Sequence, residues 1–142
     1  MKIYLAGAMS GIDWNEANEW RDDFIEYYYN QELSTELEIF NPCNYVSCTE
    51  DENGMSESDN EDMLFDLYNL RNSDIMVVNW DNDSIGTSIE IGVAKENNIP
   101  ILVYCTDIER LQKMHPWVKN SALRVFTNLY DMLRYLDMFW IV

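Results

Sequence analysis

Positive charge is scarce in this sequence. Nine lysines and arginines stand against 26 aspartates and glutamates, which gives a formal net charge of -17 at pH 7. Such a chain repels the phosphates of nucleic acids and the headgroups of anionic membranes, so we expect neither as a partner. Long apolar runs are also missing, because residues 99–104 and 138–142 fall far short of the roughly 20 residues that a membrane-spanning helix requires.

Residues that bind metals or form disulfide frameworks are few. The sequence contains one histidine, His115, and three cysteines that form no CxxC pair. A structural zinc site needs four such ligands, so we expect no metal. A Ser-His-Asp triad is also disfavoured, because no GxSxG motif exists to carry the serine. The odd number of cysteines and the lack of a signal-peptide apolar segment after Met1 predict a cytoplasmic protein.

Short apolar runs alternate with amphipathic stretches along the whole chain. Its length of 142 residues predicts one domain, residues 1–142. The pattern predicts an α/β fold, a flavodoxin-like or Rossmann-like three-layer sandwich with a five-stranded parallel sheet. Strands are expected at residues 2–7, 37–40, 74–80, 99–104 and 123–126, helices at 14–30, 59–70, 87–97 and 129–136, and an acidic surface loop at 49–62.

Three loops should meet where the strands of this sheet end. They are the GAMSG run at residues 7–11, the segment 41–45 and the segment 79–86. Ligands of open α/β sheets bind at this edge, and glycine lets backbone approach a ligand closely. GAMSG alone is a weak signal, since it lacks the GxGxxG spacing and equally suits a plain strand-to-helix turn.

Glu90 lies at the end of the segment SIGTSIE, which begins at Ser84. Ser84 or Thr87 can cap a helix, and Glu90 would then lie within or just after its first turn, where the helix dipole favours an ionised carboxylate. One interpretation is an ordinary capped helix start. The other is a functional carboxylate, because this helix start faces the same crevice as the glycine loop.

Asp66 is a second candidate acid. It lies between Phe65 and Leu67 in an apolar stretch, and partial burial there would raise its pKa, as a proton donor needs. Its neighbour Asp62 is expected to be exposed. One ionised and one protonated carboxyl group form the arrangement that cleaves a glycosidic bond, as nucleophile and general acid.

The sequence resembles the nucleoside 2-deoxyribosyltransferase family in the order of its motifs. The matching residues are the run IYLAG at 3–7, Arg21, Asn41-Pro42, Asp66, Ser73-Asp74, Asn79 and the run SIGTSIEIGVA that starts at Ser84. The resemblance covers Met1 to about Tyr104. Its most specific part is the SxGTxxExG pattern, whereas the opening YLAG occurs in several related families that act on nucleotides.

The resemblance implies an enzyme that needs neither metal nor cofactor. Glu90 would attack C1′ of a 2′-deoxynucleoside, Asp66 would handle the proton of the departing base, and the Tyr4 hydroxyl would hold the nucleophile in place. A free nucleobase would then take the deoxyribosyl group. The family also implies a homo-oligomer whose subunits complete each other's pockets, with residues 138–142 as a contact surface.

Further residues are expected to bind the substrate. Their positions in the glycine loop and the crevice make Gly7, Ala8, Gly86 and Asn79 candidates. The resemblance implies a binding role for Ser84. Trp14 is a candidate for base stacking and for excluding water. Tyr45 and Trp80 are alternative stacking residues. For each aromatic side chain taken singly, core packing is the competing interpretation.

Two alternatives to a transferase stay open. Some transferases carry an aspartate six residues before the nucleophile, whereas Ser84 stands there in this sequence, as in the deoxynucleoside 5′-monophosphate N-glycosidases, in which a serine helps to bind phosphate. Those hydrolases also carry an arginine in the first glycine loop, and GAMSG has none, which favours a nucleoside substrate. The first alternative is therefore hydrolysis of a deoxynucleotide or of a related nucleotide, since a GTxxE run also occurs in lonely-guy-type phosphoribohydrolases. The second alternative is a non-catalytic nucleotide-binding module.

Overall fold

The described part of the chain contains five strands and six α-helices, with one or two helices after each strand. The structure, a computed structural model, describes residues 1–33, 35–45 and 59–141. The strands are β1 (Lys2–Ala6), β2 (Glu38–Phe40), β3 (Ile75–Asn79), β4 (Ile101–Tyr104) and β5 (Arg124–Phe126). The helices are α1 (Trp14–Tyr29), α2 (Asp59–Arg71), α3 (Ile85–Glu96), α4 (Ile108–Gln112), α5 (Pro116–Ser121) and α6 (Leu129–Phe139), and a 3-10 turn spans Pro42–Tyr45.

The sheet is parallel throughout, with the strand order β2-β1-β3-β4-β5. In this order the connections leave β1 and β3 toward opposite edges of the sheet, so a crevice opens at their carboxyl ends. Tyr4 is in register with Met76, and Ala6 with Val78. The predicted flavodoxin-like fold class and the parallel five-stranded sheet are confirmed.

Alternate residues of the central strands face two separate cores. Tyr4 and Ala6 of β1 pack with side chains from α2, α3 and α5 on one face of the sheet. Ile3 and Leu5 pack with side chains from α1 and α6 on the other face. Both faces are therefore covered, which explains why these strands read as continuous apolar runs.

Helix α1 begins at a capping aspartate, since Asp13 accepts hydrogen bonds from the backbone amides of Asn15 and Glu16. Its buried residues are Ala17, Arg21, Phe24 and Tyr28. The spacing in the sequence predicts an apolar stripe of Ala17, Trp20, Phe24 and Tyr28. Three of these residues are buried as predicted, whereas Trp20 is only partly buried and the neighbouring Arg21 is fully buried.

Other boundaries differ from the sequence prediction. Helices α4 and α5 were not predicted, because elements of five and six residues are too short to show a periodic pattern. Helix α6 continues to Phe139, three residues beyond its predicted end. In α2, the sequence predicts an apolar stripe of Met63, Leu67 and Leu70 with Leu64 beside them. Leu67 and Leu70 are buried, whereas Met63 and Leu64 are 47% and 56% exposed, so the prediction is wrong for these two residues. Residues 49–58 of the predicted loop lie outside the described residues.

No helix within the described part of the chain combines the length and the apolar composition that a membrane span requires.

Candidate active site

A cavity of about 640 Å³ opens at the carboxyl ends of β1 and β3. This volume is within the usual range for small-molecule sites. Its walls come from the turn after β1, the 3-10 turn after β2, helix α2 and the start of α3. Among its lining residues are Gly7, Ser10, Pro42, Tyr45, Asp66, Ser84, Gly86 and Glu90.

Tyr4 does not line this cavity, but it is hydrogen-bonded to Glu90, which does. The Tyr4 hydroxyl donates to Oε1 of Glu90 over 2.9 Å. Tyr4 is fully buried on β1, and its ring stacks on Phe40 with centroids 5.3 Å apart. Burial and the nearby carboxylates hold the pKa of Tyr4 far above its usual value, so this hydroxyl stays a donor across the working pH range.

Glu90 and Asp66 line the same cavity and influence each other's charge. Burial raises the pKa of Glu90 to about 7, although the Tyr4 hydrogen bond and Arg21 oppose the rise. Burial and the neighbouring Asp62 raise the pKa of Asp66 to about 6. Two interacting carboxyl groups with near-neutral pKa values titrate as a pair, and between pH 6 and 7 they hold about one proton in common.

The expectation that the helix start keeps Glu90 ionised is wrong. Glu90 is the sixth residue of α3, and the first turn of that helix contains no acidic residue. The dipole effect is confined to the first turn, so burial dominates at Glu90. The expected raised pKa of Asp66 is confirmed, but Glu90 has the higher pKa of the two.

Helix α3 begins at the cavity wall with Ser84 as its cap. Ser84 Oγ accepts a hydrogen bond from the Thr87 amide over 3.1 Å. The cap thus leaves the Ser84 hydroxyl proton available as a donor. A Cβ added at Gly86 would meet only Ser84 Oγ, at 3.9 Å, so packing within the chain does not by itself require glycine there.

Sequence reasoning missed Arg110, which fixes the segment before Ser84. Its guanidinium donates to the Trp80 carbonyl over 3.1 and 3.0 Å and to Oδ1 of Asp83 over 3.1 Å. Arg110 lies in α4, a helix too short to be predicted, so no sequence signal connected it with this segment.

Arg21 lies in α1, outside the glycine loop in sequence, yet it contacts that loop directly. It is fully buried, and Nη2 donates to the Gly7 carbonyl over 3.0 Å. Gly7 itself is tightly packed, since an added Cβ would meet Cζ2 of Trp20 at 3.1 Å and the Asn79 carbonyl oxygen at 3.4 Å. The glycine at this position is therefore explained by close packing within the chain.

Three predicted binding residues do not line this cavity. Ala8 and Asn79 line a neighbouring cleft of about 270 Å³, and Trp14 lines neither space. Strand alternation explains Asn79: Val78 faces the α2 and α3 layer, so Asn79 faces the other layer, where its Nδ2 donates to the Tyr104 hydroxyl over 2.8 Å. A role of these residues in binding stays a prediction.

Tyr45 is the only one of the three candidate stacking residues that lines the cavity. Its ring lies parallel to that of Phe40, 5.1 Å away and inclined by 2°. With Tyr4 on the far side of Phe40, the three rings form a column that ends at the cavity wall. Trp80 is buried, and it lines two other spaces.

The charged residues among those described around the cavity are all acidic: Asp62, Asp66, Asp83 and Glu90. Within residues 1–33, 35–45 and 59–141, no group of three or more potential ligands could hold a metal ion. The site therefore offers carboxyl groups, hydroxyl groups and backbone amides to a ligand.

This fold and site define a class of protein: a small parallel α/β sandwich with two interacting carboxyl groups at the carboxyl edge of its sheet. The chain matches the family model described as nucleoside 2-deoxyribosyltransferase over residues 3–131, and it belongs to that family. No curated protein matches the sequence.

Solved structures share the fold at low sequence identity. A 2-deoxyribosyltransferase from the psychrotolerant bacterium Bacillus psychrosaccharolyticus is 20% identical, with a TM-score of 0.71 over 93% of this chain and 90% of that one. A conserved protein from Enterococcus faecalis V583 is 20% identical, with a TM-score of 0.69 over 96% and 97% of the two chains. A CMP N-glycosidase from Clostridium botulinum is 17% identical, with a TM-score of 0.60 over 98% and 99%.

Proposed function

We propose that the protein transfers the 2-deoxyribosyl group of a 2′-deoxynucleoside from one nucleobase to another. Family membership supports chemistry at an N-glycosidic bond. The observation that carries the proposal is the hydrogen bond from Tyr4 to Glu90, whose carboxyl group lines the same cavity as Asp66. This bond fixes one carboxyl oxygen of Glu90 and so orients the group for attack on carbon.

The proposed reaction is a double displacement. The Glu90 carboxylate attacks C1′, the bond from C1′ to the base nitrogen breaks, and the base leaves with that electron pair and a proton from Asp66. The product is a glutamyl deoxyribosyl ester. A second base then attacks C1′, its N–H proton passes to Asp66, and the Glu90 carboxylate is released.

This chemistry needs Glu90 ionised and Asp66 protonated at the same time. The pKa of Glu90 is raised to about 7 and that of Asp66 to about 6, so between these pH values the two groups together hold about one proton. The proton is either on Glu90 or on Asp66, and only the state with the proton on Asp66 is reactive. The rate should therefore fall below about pH 6, where both groups are protonated, and above about pH 7, where both are ionised.

Charge in the cavity favours a nucleoside over a nucleotide. A 5′-phosphate carries about -1.5 to -2 charges at neutral pH, and it would enter a site whose described charged residues are all acidic. A 5′-hydroxyl meets no such repulsion. The Ser84 hydroxyl, which lines the cavity, is the group we propose to bind it.

The alternative is an N-glycosidase that acts on a deoxynucleoside 5′-monophosphate. One observation favours it: the start of α3 lines the cavity at Ser84, Ile85, Gly86 and Thr87, and helix N-termini bind phosphate. The shared fold of the CMP N-glycosidase is consistent with it. The homo-oligomer stays a prediction, supported by Met138 and Phe139, which are 65% and 59% exposed.

Incubation with deoxyinosine or deoxyadenosine and a free pyrimidine base tests the proposal. We expect a new deoxynucleoside, measured by chromatography, and a loss of about 10³-fold or more in Glu90→Ala. Glu96→Gln, an exposed change at the end of the same helix, should keep wild-type activity. A normal rate in Glu90→Ala would refute the proposal.

Two further results would select the alternatives. Base release that prefers a 5′-monophosphate and proceeds equally well without an acceptor base would favour the hydrolase. Ligand that binds but is recovered intact, with Glu90→Gln binding it as well or better, would favour a non-catalytic binding module.

A further inference from the structure

Arg21 is a buried cation behind the wall of the active-site cavity. Its exposed fraction is 0%, although arginine is almost never fully buried unless it is paired. Among the described residues, no carboxylate oxygen lies within 4.0 Å of its nitrogens. Within the described part of the chain, its charge is therefore not neutralised by a direct ion pair.

The contacts that Arg21 does make are directed toward the cavity wall. It donates to the carbonyl oxygens of Gly7 and Ala17, and its guanidinium lies 4.7 Å from the ring centroid of Trp20. Nε has no hydrogen-bond partner. Two hydrogen bonds to carbonyl oxygens and one aromatic face are a weak compensation for a buried full charge.

Arg21 interacts electrostatically with the buried Cys43 and, less strongly, with the carboxyl group of Glu90 in the site. It lowers the pKa values of Glu90 and Asp66, against the larger effect of burial on both. Among the described residues, the titratable groups that act on Glu90 are Tyr4 from β1, Asp66 from α2 and Arg21 from α1. Arg21 is the one cation of these three groups.

We propose that Arg21 is a positioning residue for the reaction at Glu90: it fixes the Gly7 carbonyl, and with it the turn that walls the cavity, while its charge favours the ionised form of the nucleophile. The proposal rests on the proposed function. Arg21 does not touch the cavity, because Gly7 lies between the guanidinium and the substrate space. Its effect would thus be transmitted through Gly7 and through the electric field.

Arg21→Met tests the charge, since methionine keeps an unbranched apolar stem beside Trp20. Removal of the cation disfavours the ionised forms of Asp66 and Glu90 and raises both pKa values, so the acid and basic limbs of the kcat/KM profile should both move up by about one pH unit. Arg134→Met is the matched control. Arg134 is exposed on α6, where it lies over Tyr130, and its loss changes the net charge equally.

Arg21→Lys separates the two parts of the proposal. Lysine keeps a positive charge but cannot reproduce the planar fork that contacts two carbonyl oxygens. We expect the acid limb to stay near the wild-type position and kcat to fall roughly tenfold, the size expected when one hydrogen bond to a charged group is lost. If Arg21→Met does not fold by circular dichroism, this variant decides: an unchanged kcat and kcat/KM overturn the proposal.

A titration that needs no turnover distinguishes this proposal from the proposed function. Carboxyl carbon NMR follows Glu90 directly, with Glu90→Gln assigning its resonance. If the wild type transfers no deoxyribosyl group, the proposed function fails, but a higher pKa of Glu90 in Arg21→Met still supports the electrostatic role. Coincident Glu90 titrations in the wild type and a folded Arg21→Met overturn it.

Discussion

At the scale of single residues, position along an element decides what a polar side chain does. Positions 17, 21, 24 and 28 lie on one face of α1 and are buried, whereas the sequence prediction placed Trp20 on that face. Arg21 was noted in the sequence only as part of the family resemblance, and its charge gave no sign of burial. Asn79 illustrates the same rule in a strand. The sequence predicted the strand, but the face of the sheet on which the Asn79 side chain lies is set by its alternation with Val78.

The hydrogen bond from Tyr4 gives a prediction at this scale. Tyr4→Phe keeps the ring stacked on Phe40 but removes the donor that lowers the pKa of Glu90. The pKa of Glu90 should rise further, so the basic limb of the kcat/KM profile, which follows the higher pKa of the pair, moves to higher pH. A hydrogen bond to a charged group contributes about 1.5–3 kcal/mol, which corresponds to a roughly 10- to 100-fold loss of kcat/KM at neutral pH.

Tyr28→Phe is a matched control for that measurement. The Tyr28 hydroxyl also donates to a carboxylate, Oδ1 of Asp137, over 3.0 Å, but it does so between α1 and α6 on the other face of the sheet. This variant should leave the pH profile unchanged. Equal effects of the two substitutions on the profile would show that Tyr4 acts only through folding.

At the scale of elements, the start of α3 combines a structural and a chemical task. Ser84 caps the helix and lines the cavity at once. The sequence predicted the cap, the glycine turn and the strands that carry them, because each follows from local chemistry and periodicity. It did not predict α4, and so it could not predict that Arg110 holds the Trp80 carbonyl and Asp83 in front of Ser84.

Ser84→Gly separates the two tasks of Ser84. Glycine is a good N-cap, so stability should fall by only about a few tenths of a kcal/mol in chemical denaturation. Loss of the hydroxyl should weaken deoxynucleoside binding by about 1 kcal/mol, a roughly fivefold rise in KM. The matched control is Asn128→Gly, which alters the cap of α6, where Asn128 Oδ1 accepts from the Asp131 amide. An unchanged KM in Ser84→Gly would exclude Ser84 from substrate binding.

At the scale of the whole molecule, negative charge is both global and local. The formal net charge is -17, and the charged side chains among the described cavity residues have the same sign. The composition predicted the excess of negative charge over the whole chain. It could not predict the charge at the cavity, because that depends on tertiary placement. Arg21 and Arg110 lie behind or beside the cavity wall, so no described basic side chain lines the cavity.

Ionic strength gives a test at this scale. For an uncharged deoxynucleoside, kcat/KM should change little between low salt and about 0.15 M, where the Debye length is about 8 Å. Turnover of a deoxynucleoside 5′-monophosphate should be slower and should rise with salt, because screening weakens the repulsion. Faster turnover of the monophosphate that declines with added salt would instead indicate a cationic phosphate site.

The ring column of Tyr4, Phe40 and Tyr45 has an optical consequence. Tyr45 is 51% exposed and lines the cavity, where its ring also contacts Phe65. We expect a ligand in the cavity to reach one face of this ring. A planar purine lying on that face would become the fourth member of the column, and its ultraviolet absorbance would drop as stacked transition dipoles couple. Occupancy of the site would then be visible by difference absorbance, without any label and before any bond is broken.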